Sequence, residues 1–223
     1  MPAGEVAVVD DAATSAAPAG SPGRGLRLGL GVVTAVLVLA ATYMVGFLTP
    51  RWSAPGEGSP EAGFARDMSL HHGQAVEMAM LAYQNATDPE IRTIGYDIAT
   101  TQQFQIGQMQ RWLQEWRLSP TGDARPMAWM PGEMGTLLPD GRMPGMASQA
   151  ELIALRSARG RDFDVLFCQL MMRHHLGGLH MAEAVLDPTD RAEVRVLAEA
   201  VLSGQQREIN ILNEILARLG AQP

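Results

Sequence analysis

The chain has 223 residues, of which 47% are hydrophobic and only 5% aromatic, and it carries a formal net charge of −7. That length suits one folded domain with appendages, and that apolar content can fill a core. The negative balance, with all 17 cationic side chains being scattered arginines, argues against a nucleic-acid surface, which needs clustered cations.

Residues 1–23 are mostly Ala, Gly, Pro and Ser with three acids. Such a stretch buries too little apolar area to offset ordering entropy, so it is expected to be a disordered cytoplasmic tail. Residues 24–49 read as a transmembrane anchor. Their centre, Leu28 to Leu48, runs 21 residues without a charge, enough at about 1.5 Å per residue to cross a hydrocarbon core of roughly 30 Å. The competing readings are a buried helix, which the length disfavours, and a cleaved signal peptide, whose apolar region is usually shorter. Arg24 and Arg27 precede the segment and Arg51 follows it, a slight positive-inside bias. The expected location is therefore the cell membrane, single-pass, with the bulk of the chain extracytoplasmic. Residues 50–60 are a Pro/Gly/Ser linker.

The remainder, 61–219, reads as an all-α four-helix bundle. In the first helix Phe64, Met68, His71, Ala75, Met78 and Ala82 recur at spacings of four and three, one stripe of a helix that faces a partner. Asp88-Pro89-Glu90 supplies a cap, a first-turn proline and an acid for a second helix that runs to about Trp116. The short connection makes the two antiparallel neighbours. Residues 119–147 break the periodicity with five Pro, five Gly and five Met: Met127, Met130, Met134, Met143 and Met146. Ser148 to Glu151 is a capping box that opens a short helix. A third long helix from Asp162 carries the stripe Phe167, Met171, His174, Gly178, Met181 and Val185, and a fourth runs from about Asp190 to Leu219.

These two hairpins are copies. At an offset of 103 residues Phe64 falls on Phe167, Met68 on Met171, His71 on His174, His72 on His175, Met78 on Met181 and Ala79 on Ala182. The match continues through the second helices, with Gln103, Ile106 and Leu113 on Gln206, Ile209 and Leu216. Two hairpins with one apolar stripe each bury those stripes best against each other, in a bundle related by a pseudo-two-fold axis.

All five histidines lie inside the duplicated windows. An imidazole in a core-facing stripe needs partners for both nitrogens. Met68 shares a face with His71, and Met171 with His174; His72 and His175 point about 100° away, toward the next helix. Imidazole and thioether together make a soft site, suited to Cu(I) rather than to Mg or Ca. The candidate ligands are Met68, His71, His72, Met171, His174 and His175, with Met78, His180 and Met181 behind them. The competing reading is that the methionines are core and the imidazoles are satisfied by hydrogen bonds. Two copies in register favour ligands. Gly73, Gly177 and Gly178 inside helices admit a close neighbour or mark a kink. Cys168 fits a small buried apolar role better than a thiolate ligand. The loop methionines either collect Cu(I) or dock on the bundle.

No Glu-x-x-His, His-Glu-x-x-His or Cys-x-x-Cys-His occurs, and no nucleophile signature demands an enzyme. Phe-x3-Met-x2-His-His near the start of each hairpin, with Met-Ala seven and eight residues after the first His, resembles the bacterial family called domain of unknown function three-zero-five. So do Met143-Pro-Gly-Met146 and the Phe163-Asp-x2-Phe167 lead-in. The resemblance implies a ferritin-like four-helix bundle, secreted or membrane-anchored, in a family with a periplasmic copper-binding member. It places the metal at the Met/His positions above. The expected function is copper binding for sequestration or hand-over, with a homo-oligomer or a copper-delivery partner left open. The alternatives are a structural or partner-binding helical module and a non-covalent haem-binding bundle.

Overall fold

The computed structural model describes residues 24–52 and 54–223; the expected tail 1–23 lies outside them. Helix α1 spans Arg24–Trp52 and belongs to one compact unit, while Ala54–Pro223 form a second. Within α1, Gly29–Phe47 has a mean hydropathy of 2.2, and none of that stretch is buried in the protein.

The second unit is the bundle. Helix α2 (Pro60–Asn85) starts where the Ser59 hydroxyl accepts the Ala62 N–H, with Pro60 in the first turn. Helix α3 (Pro89–Trp116) starts on the Asp88 carboxylate, which accepts the Glu90 N–H at 2.8 Å, and stops at Arg117 in the left-handed region. The 119–147 segment follows, with one 3₁₀ turn at Gly132–Gly135. The short helix α4 (Gln149–Ser157) opens on the expected Ser148/Glu151 capping box. Helices α5 (Gly160–Leu186) and α6 (Ala192–Arg218) complete the second hairpin.

Helices α2 and α5 form the central pair, with α3 laid on α2 and α6 on α5; α3 and α6 meet only sparsely. The core divides into two clusters. One holds Met78, Ile91, Ile98, Phe163, Phe167, Met171 and Ile215. The other holds Phe64, Met68, Met109, Leu113, Met181, Val185 and Leu197. Each central helix contributes to both, because α2 and α5 run antiparallel about the pseudo-two-fold axis. In α2 the His71-His72 pair falls between Met68 and Met78, and in α5 the His174-His175 pair falls between Met171 and Met181. The histidines therefore occupy the waist between the two clusters.

The duplication also ties each hairpin to the other's turn. Asp164 of α5, 1% exposed, accepts the Thr87 N–H at 3.0 Å, the Asp88 N–H at 3.1 Å and the Thr87 hydroxyl. Glu61 of α2, at the matching position, accepts the Thr189 hydroxyl at 2.9 Å. Asp164→Ala should lower stability by about 2 kcal/mol, because Thr87 is exposed and water can partly replace the carboxylate. A lower urea midpoint with an unchanged slope is the expected reading; an unchanged midpoint would show that the clasp carries no energy. Cys168 is fully buried among apolar residues, and burial pushes its thiol up to about 12. It stays protonated at neutral pH and packs as a small hydrophobe.

Candidate metal centre

Backbone spacing brings the central imidazoles together. His71 and His174 lie on the facing stripes of α2 and α5, with ring centroids 3.7 Å apart and planes at 37°. Both are fully buried, and none of their four ring nitrogens has a hydrogen-bond partner. An unpaired buried polar group costs about 1–3 kcal/mol, so this pair is held at a real expense in stability.

His72 and His175 turn outward by one residue, as the helical angle requires, and each meets the neighbouring helix of its own hairpin. His72 Nε2 donates to Gln105 Oε1 at 2.7 Å. His175 Nε2 donates to the Glu208 carboxylate at 2.6 Å. Each bond is made through Nε2 and leaves Nδ1 buried without a partner. Gln105 and Glu208 are members of the candidate site that sequence reasoning missed. The signal was present, since each follows the second histidine of its copy by 33 residues.

Burial keeps His71, His72 and His174 neutral. It lowers His71 to about 3, helped by the neighbouring His72 and His175. The Pro144 carbonyl, facing His71, works against this only weakly. Burial likewise lowers His72 to about 4, with the Gln105 bond opposing it, and holds His174 well below its ordinary value. Neutral imidazoles with free lone pairs are the form that binds metal.

The methionines do not all converge. Met68 shares a cluster with Met181, and Met171 shares the other with Met78, so thioethers flank the imidazoles from both ends. His180 lies nearly two turns beyond His174 and is only half-buried. Among the described residues no three His, Cys, Asp or Glu side chains are gathered tightly enough to hold a metal ion. The preformed unit is thus a two-imidazole pair, and further donors would include thioether sulfur.

One side of the waist is closed by the 119–147 segment. Gly145, at φ +86°, sits against the carbonyls of Arg173 and His174 and the Cα of Gly177. Gln74 clamps the segment by donating to the Ala147 carbonyl at 3.0 Å and accepting its N–H at 2.6 Å. Farther back, buried Asp67 accepts the Met127 N–H at 2.6 Å and the Trp129 indole N–H at 2.8 Å. Met127, Met130 and Met143 are buried by this docking, while Met134 is 39% exposed. Docking on the bundle is what the structure shows for these loop methionines. Gly73 has open space around it.

The model of the domain of unknown function DUF305 matches residues 61–216. A DUF305 protein from Streptomyces coelicolor is 40% identical over 75% of this chain and 98% of its own, with a TM-score of 0.69. A DUF305 fragment from Deinococcus radiodurans is 30% identical over 74% and 98%, at 0.61. CopM in its Cu(I)-bound form is 25% identical over 72% and 96%, at 0.56, and in its Cu(II)-bound form 27% identical over 72% and 97%, at 0.57. No curated protein matches the chain.

Proposed function

The chain belongs to the DUF305 family, and from that premise we propose that it is a membrane-anchored, extracytoplasmic protein that holds Cu(I) for sequestration or hand-over. The observation that carries this reading is the His71/His174 pair: two fully buried neutral imidazoles in direct contact, their planes tilted by 37°, with four nitrogens left without partners. A chain that needed only packing at these positions would gain stability from leucine. His72 and His175 would add their bare Nδ1 atoms. The Met68/Met181 and Met171/Met78 sets would offer sulfur on either side. Soft donors of this kind favour a soft monovalent ion, and CopM, of the same fold, has been crystallised with Cu(I). Copper is here cargo, and the residues that would receive it do nothing more than bind.

The haem reading finds less support. The two rings are 3.7 Å apart on directly packed helices, which leaves no slot for a porphyrin between them. The bland reading, a helical module without metal, must accept the orphaned nitrogens as pure cost. Titration of Cu(I) against a chromophoric chelator separates the two. Wild type should compete, and His71→Ala/His174→Ala should lose affinity by about 100-fold or more, since removing even a ligand's supporting partner costs 10–100-fold. Equal, weak uptake by both proteins would remove the copper reading.

The anchor belongs to the same proposal. Leu37 and Leu39 in α1 are 63% and 69% exposed, an apolar surface that lipid would cover. The mature protein should fractionate with membranes and retain α1 intact by mass spectrometry. A product beginning after residue 41 would replace the anchor with a cleaved signal.

A further inference from the structure

The imidazole waist is sealed on the side of Pro144 and Gly145. On the other side, where α3 and α6 meet only sparsely, lies a crevice of about 280 Å³. Its lining includes Gln102, Gln105, Gln205 and Glu208, with Gly204 and Arg207. Gln105 and Glu208 are the two residues bonded to His72 and His175, so the crevice stops one side chain short of the imidazoles. Gln102 and Gln205 are each 3% exposed, and all four of their amide oxygen and nitrogen atoms lack a partner. They occupy the same position in the two copies. Gly178 makes room for one of them: a Cβ there would lie 2.3 Å from Gln205 Oε1. Two duplicated carboxamides, buried and unsatisfied, are too costly to be filler. Their oxygens offer polar stepping points between solvent and the donor nitrogens.

We propose that the α3–α6 crevice is the port through which a soft monovalent cation reaches and leaves the buried imidazoles, with the Gln102 and Gln205 carboxamides lining the path and Glu208 as its anionic inner end. This rests on the copper reading above. Glu208 is the only carboxylate in the lining, and through its bond to His175 it joins the path to the donor set. Arg207 is exposed at the rim and opposes it with a positive charge. The rim therefore slows a free cation and leaves faster loading to a carrier that masks the charge. Gln102 and Gln205 position the ion in passage and are not its final ligands.

The test reads rates as well as affinity. Cu(I) transfer to and from the full-length protein is followed by stopped-flow absorbance of bicinchoninate under anaerobic conditions. Gly204→Phe fills the crevice from a backbone position where a Cβ meets nothing closer than 4.0 Å. It should slow uptake and release together by about tenfold, the lower end of what a charge-lined cleft contributes to rates, with an unchanged dissociation constant. Arg207→Ala, at an exposed site that leaves the fold intact, should speed uptake several-fold at low salt and lose that advantage at high salt. If wild type binds Cu(I) and both variants exchange it at the wild-type rate, the port is wrong and the copper reading stands. If wild type binds no Cu(I), both fall together.

Discussion

Metal-free protein should unfold steeply on acidification, losing roughly 4 kcal/mol per pH unit as pH falls below the ordinary histidine value of about 6.5. The sign follows from the burial of the rings. His71 is lowered to about 3, His72 to about 4, and His174 well below its ordinary value. A lowered histidine contributes stability above its unfolded value and loses it as pH falls toward its folded one. Below about 6.5 the unfolded chain therefore takes up three protons that the native bundle refuses, each worth about 1.4 kcal/mol per pH unit. Burial raises Asp67, which works in the opposite direction. Asp88 and Glu151, both held low, add their own loss at more acid pH, below about 4. Against a typical total of about 5–15 kcal/mol, the fold should fail within about one to four pH units. Urea unfolding at a series of pH values measures the slope. A dependence of less than one proton between pH 6 and 5 would show that the rings are hydrated or already charged. His71→Leu/His174→Leu should flatten the slope by about two thirds. Bound Cu(I) requires neutral nitrogens, so loading should move the transition of the wild type to lower pH.

That steepness was legible in part. The 103-residue offset put every histidine into two matched windows, and the 3.6-residue period placed His71 and His174 on apolar stripes. From there the bundle, the pseudo-two-fold axis and the convergence of the two imidazoles follow by geometry. The period also turned His72 and His175 toward a neighbouring helix, where the structure places them. The fate of the methionines did not follow. A residue three positions before a histidine shares its face, but antiparallel packing about a two-fold axis sends the two faces' ends apart. Met68 therefore meets Met181's cluster and Met171 meets Met78's. Gln105 and Glu208 escaped notice because a polar residue on an amphipathic helix reads as solvent-facing until the partner helix of its own hairpin is laid against it. The turn clasps of Glu61 and Asp164 were hidden in the same way. Each looks like an ordinary acid near a helix start, and each spends its carboxylate on a segment more than 70 residues away in sequence.

Gly177→Ala and Gly178→Ala, one methyl each and one residue apart, should differ sharply in their consequences. At Gly177 the new Cβ would lie 2.1 Å from the Pro144 carbonyl oxygen and 2.9 Å from its carbon. Both are backbone atoms of a segment held at Gly145 and Ala147, so no rotamer can relieve the overlap. The Met143–Met146 stretch must lift. Met143, now 2% exposed, would lose about 2–3 kcal/mol of burial. The two Gln74–Ala147 hydrogen bonds would lose about 1 kcal/mol each. The better helix propensity of alanine returns about 1 kcal/mol, for a net loss of about 3. At Gly178 the obstacle is Gln205 Oε1 at 2.3 Å, the far end of a flexible side chain. It can swing toward the crevice and leave an unsatisfied position in doing so, and the net change should be within about 1 kcal/mol of zero. Trypsin reports the difference directly, because Arg142 immediately precedes the lifted segment: cleavage there should accelerate in Gly177→Ala and remain at the wild-type rate in Gly178→Ala. Lifting Pro144 and Gly145 also opens the sealed side of the waist. Cu(I) exchange in Gly177→Ala should then no longer be slowed by Gly204→Phe, since the ion has a second way in. If the double variant stays as slow as Gly204→Phe alone, the loop is not what closes that side.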